Sequence, residues 1–214
     1  APRLQSVRPE ARLGVKELIV VACFGLGTAW HHQCADSLES YLSPEQPALY
    51  VDTSAGGHPT GAYRRAYEAR AWYAEPDERH LFIQDSMTAV EDPLPWFRTQ
   101  WPGSGAVAWQ RFPTQWDTHE QRLAVEARYP NVYPSHGVFG PVFYTDRASL
   151  DLLRDKDLLP EVPQNRMEAQ GSERAWAYAF AAAGLPVVGP EWNPEALKAG
   201  DPVGPFRKVF AGRP

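Results

Sequence analysis

The run Leu18-Ile19-Val20-Val21-Ala22-Cys23-Phe24 constrains this chain more than any other feature. It is apolar throughout instead of alternating, and it ends in Gly25-Leu26-Gly27. A run of that kind is buried on both faces, as strands are in a parallel sheet covered by helices. Thr28 can cap a helix, and Trp30, Cys34, Leu38, Tyr41 and Leu42 then recur at helical spacing until Ser43-Pro44. The same alternation repeats downstream. Ala48 to Val51 is a second strand, closed by Asp52-Thr53-Ser54-Ala55-Gly56-Gly57. Ala62, Ala66, Ala69 and Tyr73 mark the inner face of a second helix, with Arg64, Arg65, Glu68 and Arg70 opposite. His80 to Ile83 is a third strand and runs directly into Gln84-Asp85-Ser86. Three strand-to-polar-loop transitions separated by two helices describe a parallel α/β half with right-handed crossovers.

The rest of the chain predicts a strand at Ala106 to Trp109, a helix over His119 to Arg128 and an apolar run through Val138 to Tyr144. Asp146 can cap a helix through Leu153, and Ser172 can cap Glu173 to Ala183, which Gly184 ends. These elements extend the sheet as a mixed one, its later strands partly antiparallel. The expected fold is one Rossmann-like α/β domain, a mixed sheet flanked by helices, over 16–214 after an irregular lead-in over 1–15. A length of 214 residues, 43% of them hydrophobic, supports one well-buried core. The net charge of -5 disfavours a grip on nucleic-acid phosphates. Cys23 and Cys34 fall in apolar stretches and read as buried thiols of a reducing, cytoplasmic compartment. No apolar run approaches the roughly 20 residues of a membrane helix, and the first residues lack the apolar stretch of a secretory signal.

Open α/β sheets bind ligands outside the carboxyl ends of their strands, so residues at those ends are the candidates. Asp85, at the end of an apolar strand, suits a Mg²⁺ or Mn²⁺ ion bridging a diphosphate, or ribose and sugar hydroxyls. Asp52 is placed to bind a nucleoside, and is equally an Asx turn. Gly25, Gly27 and Gly56-Gly57 form no complete phosphate fingerprint. Arg64 and Arg65 could reach a diphosphate, or could simply make a charged helix face. Glu173 is either a dipole partner in a first helical turn or a general base. His136, beside Gly137, suits acceptor contact, metal ligation or a turn. The adjacent His31 and His32 diverge on a helix and make a poor joint metal site. Neither a zinc pattern nor the Gly-x-Ser-x-Gly elbow is present.

In element order and motif the chain resembles the nucleotide-diphospho-sugar transferase fold of GT-A glycosyltransferases, in particular small bacterial and phage members. The carrying residues are the Leu18 to Gly27 strand and loop, Tyr50-Val51-Asp52, Tyr63-Arg64-Arg65-Ala66-Tyr67-Glu68-Ala69, and above all His80-Leu81-Phe82-Ile83-Gln84-Asp85-Ser86-Met87. Val138 to Tyr144 and Ser172-Glu173-Arg174-Ala175-Trp176 resemble the acceptor-side strand and acidic helix start of such enzymes. The resemblance implies a nucleotide-sugar donor in residues 16–90, contacted by Gly25, Gly27, Asp52, Arg64, Arg65, Gln84 and Asp85. It implies an acceptor in 91–214, near His136 and Trp109, with Glu173 as base. For a phage-like member the acceptor alternatives extend to a modified DNA base, to which the acidic balance lends no support. It also implies Mn²⁺ or Mg²⁺ at Asp85, yet Ser86 stands where such enzymes carry a second acid, and serine is a poor ligand for a divalent cation. The competing expectations are a nucleotidyltransferase and a non-catalytic module binding carbohydrate or protein through Trp96, Trp101, Trp109 and Trp116.

Overall fold

The computed structural model describes residues 17–44, 46–53, 58–69, 77–113 and 118–209. The predicted lead-in, Gly56-Gly57, Arg70, Tyr73 and Trp116 lie outside them. Strand β1 (Glu17–Cys23) is the centre of a parallel trio, hydrogen-bonded to β2 (Ala48–Asp52) on one side and β3 (Arg79–Gln84) on the other. The sheet continues through β8 (Phe143–Asp146), antiparallel to both β3 and β5 (Ala106–Ala108), and ends on β9 (Val187–Val188), parallel to β5. The order β2-β1-β3-β8-β5-β9 is the mixed sheet expected of this fold class.

Every residue of β1 is buried because both faces of the strand are covered. Leu18, Val20 and Ala22 face α2 (His58–Ala69), α4 (His119–Arg128), α5 (Arg147–Asp155) and α6 (Arg166–Ala182). Ile19, Val21 and Cys23 face α1 (Ala29–Glu39), α3 (Pro93–Gln100) and α7 (Pro194–Ala199), with β4 (Met87–Ala89) and β10 (Phe206–Lys208) in the same layer. Burying each of the larger β1 side chains contributes about 1.5–3 kcal/mol, so a charge at Val20 would break the fold. A separate ribbon pairs β6 (Arg111–Pro113) with β7 (His136–Val138).

Three predicted elements are corrected. Helix α6 starts at Arg166 instead of Glu173, because Asn165 accepts from the Glu168 N–H at 3.0 Å while Glu168 accepts in return from the Gln164 N–H at 2.7 Å. Ser172 is thus mid-helix, its hydroxyl donating to the Ala169 carbonyl at 2.7 Å. The run Val138 to Tyr144 is divided between β7 and β8 by a turn in which Gly140 takes φ +62°. In α2 the inner face carries Ala62, Tyr63, Ala66 and Tyr67, whereas Ala69 is exposed. Among the described residues no helix is long and apolar enough to cross a membrane.

Candidate functional site

The chain leaves β1 for β2 on one side and returns past it to β3 on the other. The neighbouring carboxyl ends of β1 and β3 therefore form a switch point, where connections diverge and leave a crevice. Hydrogen bonds fix that edge. Thr53 donates its N–H and its hydroxyl to the Cys23 carbonyl at 2.8 and 3.0 Å. Asp85 donates its N–H to the Ala22 carbonyl at 3.0 Å, and its carboxylate accepts from the Phe24 N–H at 2.7 Å. Phe24 leaves the strand it was predicted to end, and stands 48% exposed. Beside it opens a cavity of about 250 Å³, whose lining includes Phe24, His58, Gln84, Ser172 and Glu173. His58 opens α2 with φ +49°, a strained backbone for a residue with a side chain.

The polar end of β3 is bound to the far end of the chain. Lys208 donates its ammonium to the Ser86 hydroxyl at 2.7 Å and to the Gln84 side-chain oxygen at 3.0 Å. Gln84 in turn donates its amide nitrogen to the Gly140 carbonyl, which sets the amide's orientation. Backbone pairing of Lys208 with Met87, and a 2.8 Å bond from the Val209 N–H to the Ser86 carbonyl, hold the lysine in place. Burial pushes the Lys208 ammonium down to about 8, against the nearby charges of Glu173 and Asp85. Burial raises the Asp85 carboxyl, outweighing the Phe24 N–H and the Lys208 charge. Its second carboxylate oxygen is buried with no hydrogen-bond partner among the described residues.

Glu173 lines the cavity from the middle of α6, well past its first turn, so a dipole role no longer explains it. Gly25 and Gly27 take φ +147° and +84°, which side-chain-bearing residues rarely adopt, and Gly27 donates its N–H to His31 Nδ1 at 2.9 Å. Asp52 ends β2 beside Cys23, and Arg65 reaches back to the Asp52 carbonyl at 2.9 Å. Arg64 turns away, to Glu68 at 3.1 Å and the Pro160 carbonyl at 3.3 Å.

His136 sits on the β6–β7 ribbon, with Arg111 at 2.8 Å from Nε2 and the Ser135 hydroxyl at 2.8 Å from Nδ1. Burial and then the Arg111 charge lower its pKa. Arginine can only donate, so Nε2 accepts and Nδ1 carries the proton of the neutral ring, leaving neither nitrogen free as a base. Trp109 is corrected out of the ligand set, since it is fully buried with its indole N–H donating to the Val203 carbonyl at 2.6 Å. Trp96 and Trp101 pack partly buried against the core, so of the four tryptophans expected of a sugar-stacking module Trp109 is the one that burial removes.

Sequence reasoning missed Phe24, His58 and Lys208. Phe24 had a local signal, an aromatic residue directly before Gly-Leu-Gly. Lys208 had none, because only the β4–β10 pairing brings it to Ser86. A larger cavity, about 480 Å³, lies between α4 and α6, lined by Val125, Arg128, Met167 and Glu168 among others. It shares Ser172 with the switch-point cavity but includes no residue of a strand end, and its Glu168 already caps α6. The switch-point crevice, though smaller, is the one lined by residues at the carboxyl ends of the central strands.

No known family model matches the sequence, and no curated protein does either. Among solved structures the chain is similar to the galactosyltransferase LgtC, crystallised with donor and acceptor sugar analogues. The identity is 9% and the TM-score 0.41, over 81% of this chain and 72% of that one.

Proposed function

We infer that this chain transfers a sugar from a nucleotide-sugar donor to a hydroxyl acceptor in the crevice between the ends of β1 and β3. The observation that carries it is the cavity at the switch point, lined by the carboxylate-bearing Glu173 and by Gln84, on whose side-chain oxygen the Lys208 ammonium rests. Phosphate-bearing ligands occupy that place in doubly wound sheets, and the residue pattern of β1 to Ser86 resembles a nucleotide-sugar site.

The chemistry follows from the two charges. The bond from the anomeric carbon to the diphosphate oxygen breaks, and its electron pair leaves with the diphosphate. The acceptor oxygen bonds to that carbon, and its proton passes to the Glu173 carboxylate. Glu173 acts as general base, a role worth about 10²–10⁴ in rate. Gly25, Gly27, Asp52 and Arg65 surround the nucleoside side, and Asp85 fixes the loop through Phe24. Residues 16–90 thus hold most of the donor and 91–214 the acceptor, with Lys208 crossing between them.

The test is to incubate the protein with uridine, guanosine, cytidine, adenosine and thymidine diphosphate sugars, reading diphosphate release by chromatography. One family of donors turning over in the wild type, and failing in Glu173→Gln, is the expected result. Turnover of none, together with no thermal shift from any of them, refutes the reading.

A further inference from the structure

The divalent metal implied by the sequence resemblance does not fit the residues present. Among the described residues no group of three or more His, Cys, Asp or Glu side chains comes together to hold an ion. Of the Asp85 carboxylate, one oxygen is already taken by the Phe24 N–H. Where a second acid would complete a metal site stands Ser86, whose hydroxyl receives the Lys208 ammonium at 2.7 Å. A metal ion against Ser86 would have to share its place with a positive charge, and a hydroxyl is a weak ligand to hold it there.

The same arrangement has the properties of an anion receptor. Lysine carries three donors, and Ser86 and Gln84 use two. Both partners are neutral, so no hydrogen-bonded carboxylate neutralises the ammonium. The carboxylates of Glu173 and Asp85 act on it only through space. Its position is over-determined by the β4–β10 pairing and by the Gln84 amide locked on Gly140, as a binding group requires. Gln84 also lines the switch-point cavity, so the ammonium lies directly behind a residue of its wall, 3.0 Å from the Gln84 side-chain oxygen.

Resting on the donor reading above, we propose that Lys208 replaces the divalent cation: its ammonium binds the donor diphosphate and stabilises the charge that develops on it as the sugar leaves, without metal. The cost of burying an ammonium on neutral partners is offset when a phosphate oxygen arrives.

The experiment is calorimetric titration with the five common nucleoside diphosphates and with inorganic pyrophosphate, each in EDTA and in Mn²⁺. It compares wild type, Lys208→Met, Lys208→Arg and Ser86→Asp. At least one nucleoside diphosphate should bind in EDTA within a few-fold of its affinity in Mn²⁺. Lys208→Met should weaken it about 10- to 100-fold, the range for a hydrogen bond to a charged group, and Lys208→Arg should restore most of the loss. Should Lys208→Met fail to fold, Ser86→Asp serves instead, since a carboxylate beside the ammonium should abolish binding in EDTA. Binding only in Mn²⁺, or binding that survives Lys208→Met or Ser86→Asp unchanged, overturns the inference while leaving the donor reading standing. Pyrophosphate bound through Lys208, with no nucleoside diphosphate bound, keeps the anion site and removes the nucleotide-sugar. Binding of neither removes both.

Discussion

The two ends of the central strands carry the same kinds of charged side chain in opposite states. At the amino edge, Glu17 of β1 accepts from Arg98 at 2.8 Å and from the Tyr144 hydroxyl at 2.5 Å. Burial alone would push the Glu17 carboxyl up, but those bonds and the Arg98 and Arg79 charges leave it lowered, while Glu17 raises the Arg98 guanidinium in turn. At the carboxyl edge burial prevails: the Asp85 carboxyl is raised, and the Lys208 ammonium is lowered to about 8. One edge has neutralised itself and serves the fold. The other holds charges that its own residues do not settle, which is the state expected where a ligand completes the site.

That contrast can be broken in four ways. Glu173→Gln should lower transfer about 10²–10⁴-fold, measured as diphosphate release, with an unchanged melting temperature. A loss of stability instead would make Glu173 part of the scaffold. At the other edge, Glu17→Ala should cost about 1–3 kcal/mol of unfolding free energy in urea and leave diphosphate affinity untouched, because the buried Tyr144 hydroxyl loses its acceptor. Since the Glu17 carboxyl is lowered on folding, its contribution is complete above the ordinary carboxylate range and is lost as pH falls through the lowered value. The deficit of the variant should shrink accordingly in acid.

The pH dependence of the carboxyl edge runs the other way. Lys208 is charged below about 8 and neutral above it, so diphosphate affinity should fall roughly tenfold between pH 7 and pH 9 in titrations of the wild type. A flat profile in EDTA would mean that the lysine does not carry the binding. The smallest effect is on stability in Asp85→Asn. An amide keeps the acceptor for the Phe24 N–H and removes a desolvated charge, so the unfolding free energy should fall by less than the roughly 1–3 kcal/mol of Glu17→Ala. A loss as large as that of Glu17→Ala would erase the distinction between the edges.

What could be read from the sequence followed the range of the interactions involved. Strands β1, β2 and β3 and the caps Thr28 and Asp146 rest on apolar runs and neighbouring residues, and they stand where the sequence places them. The start of α6 was legible in Asn165 and Glu168, but Gly171 and Ser172, poor helix formers, suggested a later start. Packing overrides that propensity, for a methyl on Gly171 would already touch Val125 of α4 at 4.0 Å. Gln84, Asp85 and Glu173 could be singled out because strand ends and acids are local features. Lys208 could not, since its contact with Gln84 spans 124 positions and three-residue strands leave no periodicity.

The pairing of β10 with β4 also sets an order in time. On the ribosome, β1 to β3 and the helices between them emerge long before Lys208, so the sheet can begin to form while its crevice still lacks the cation. Nascent chains stalled before residue 208 should carry the strand ends and their glycine loop yet have no purchase on a diphosphate. Ligand affinity measured on chains of increasing length would therefore rise in one late step, when β10 closes on β4.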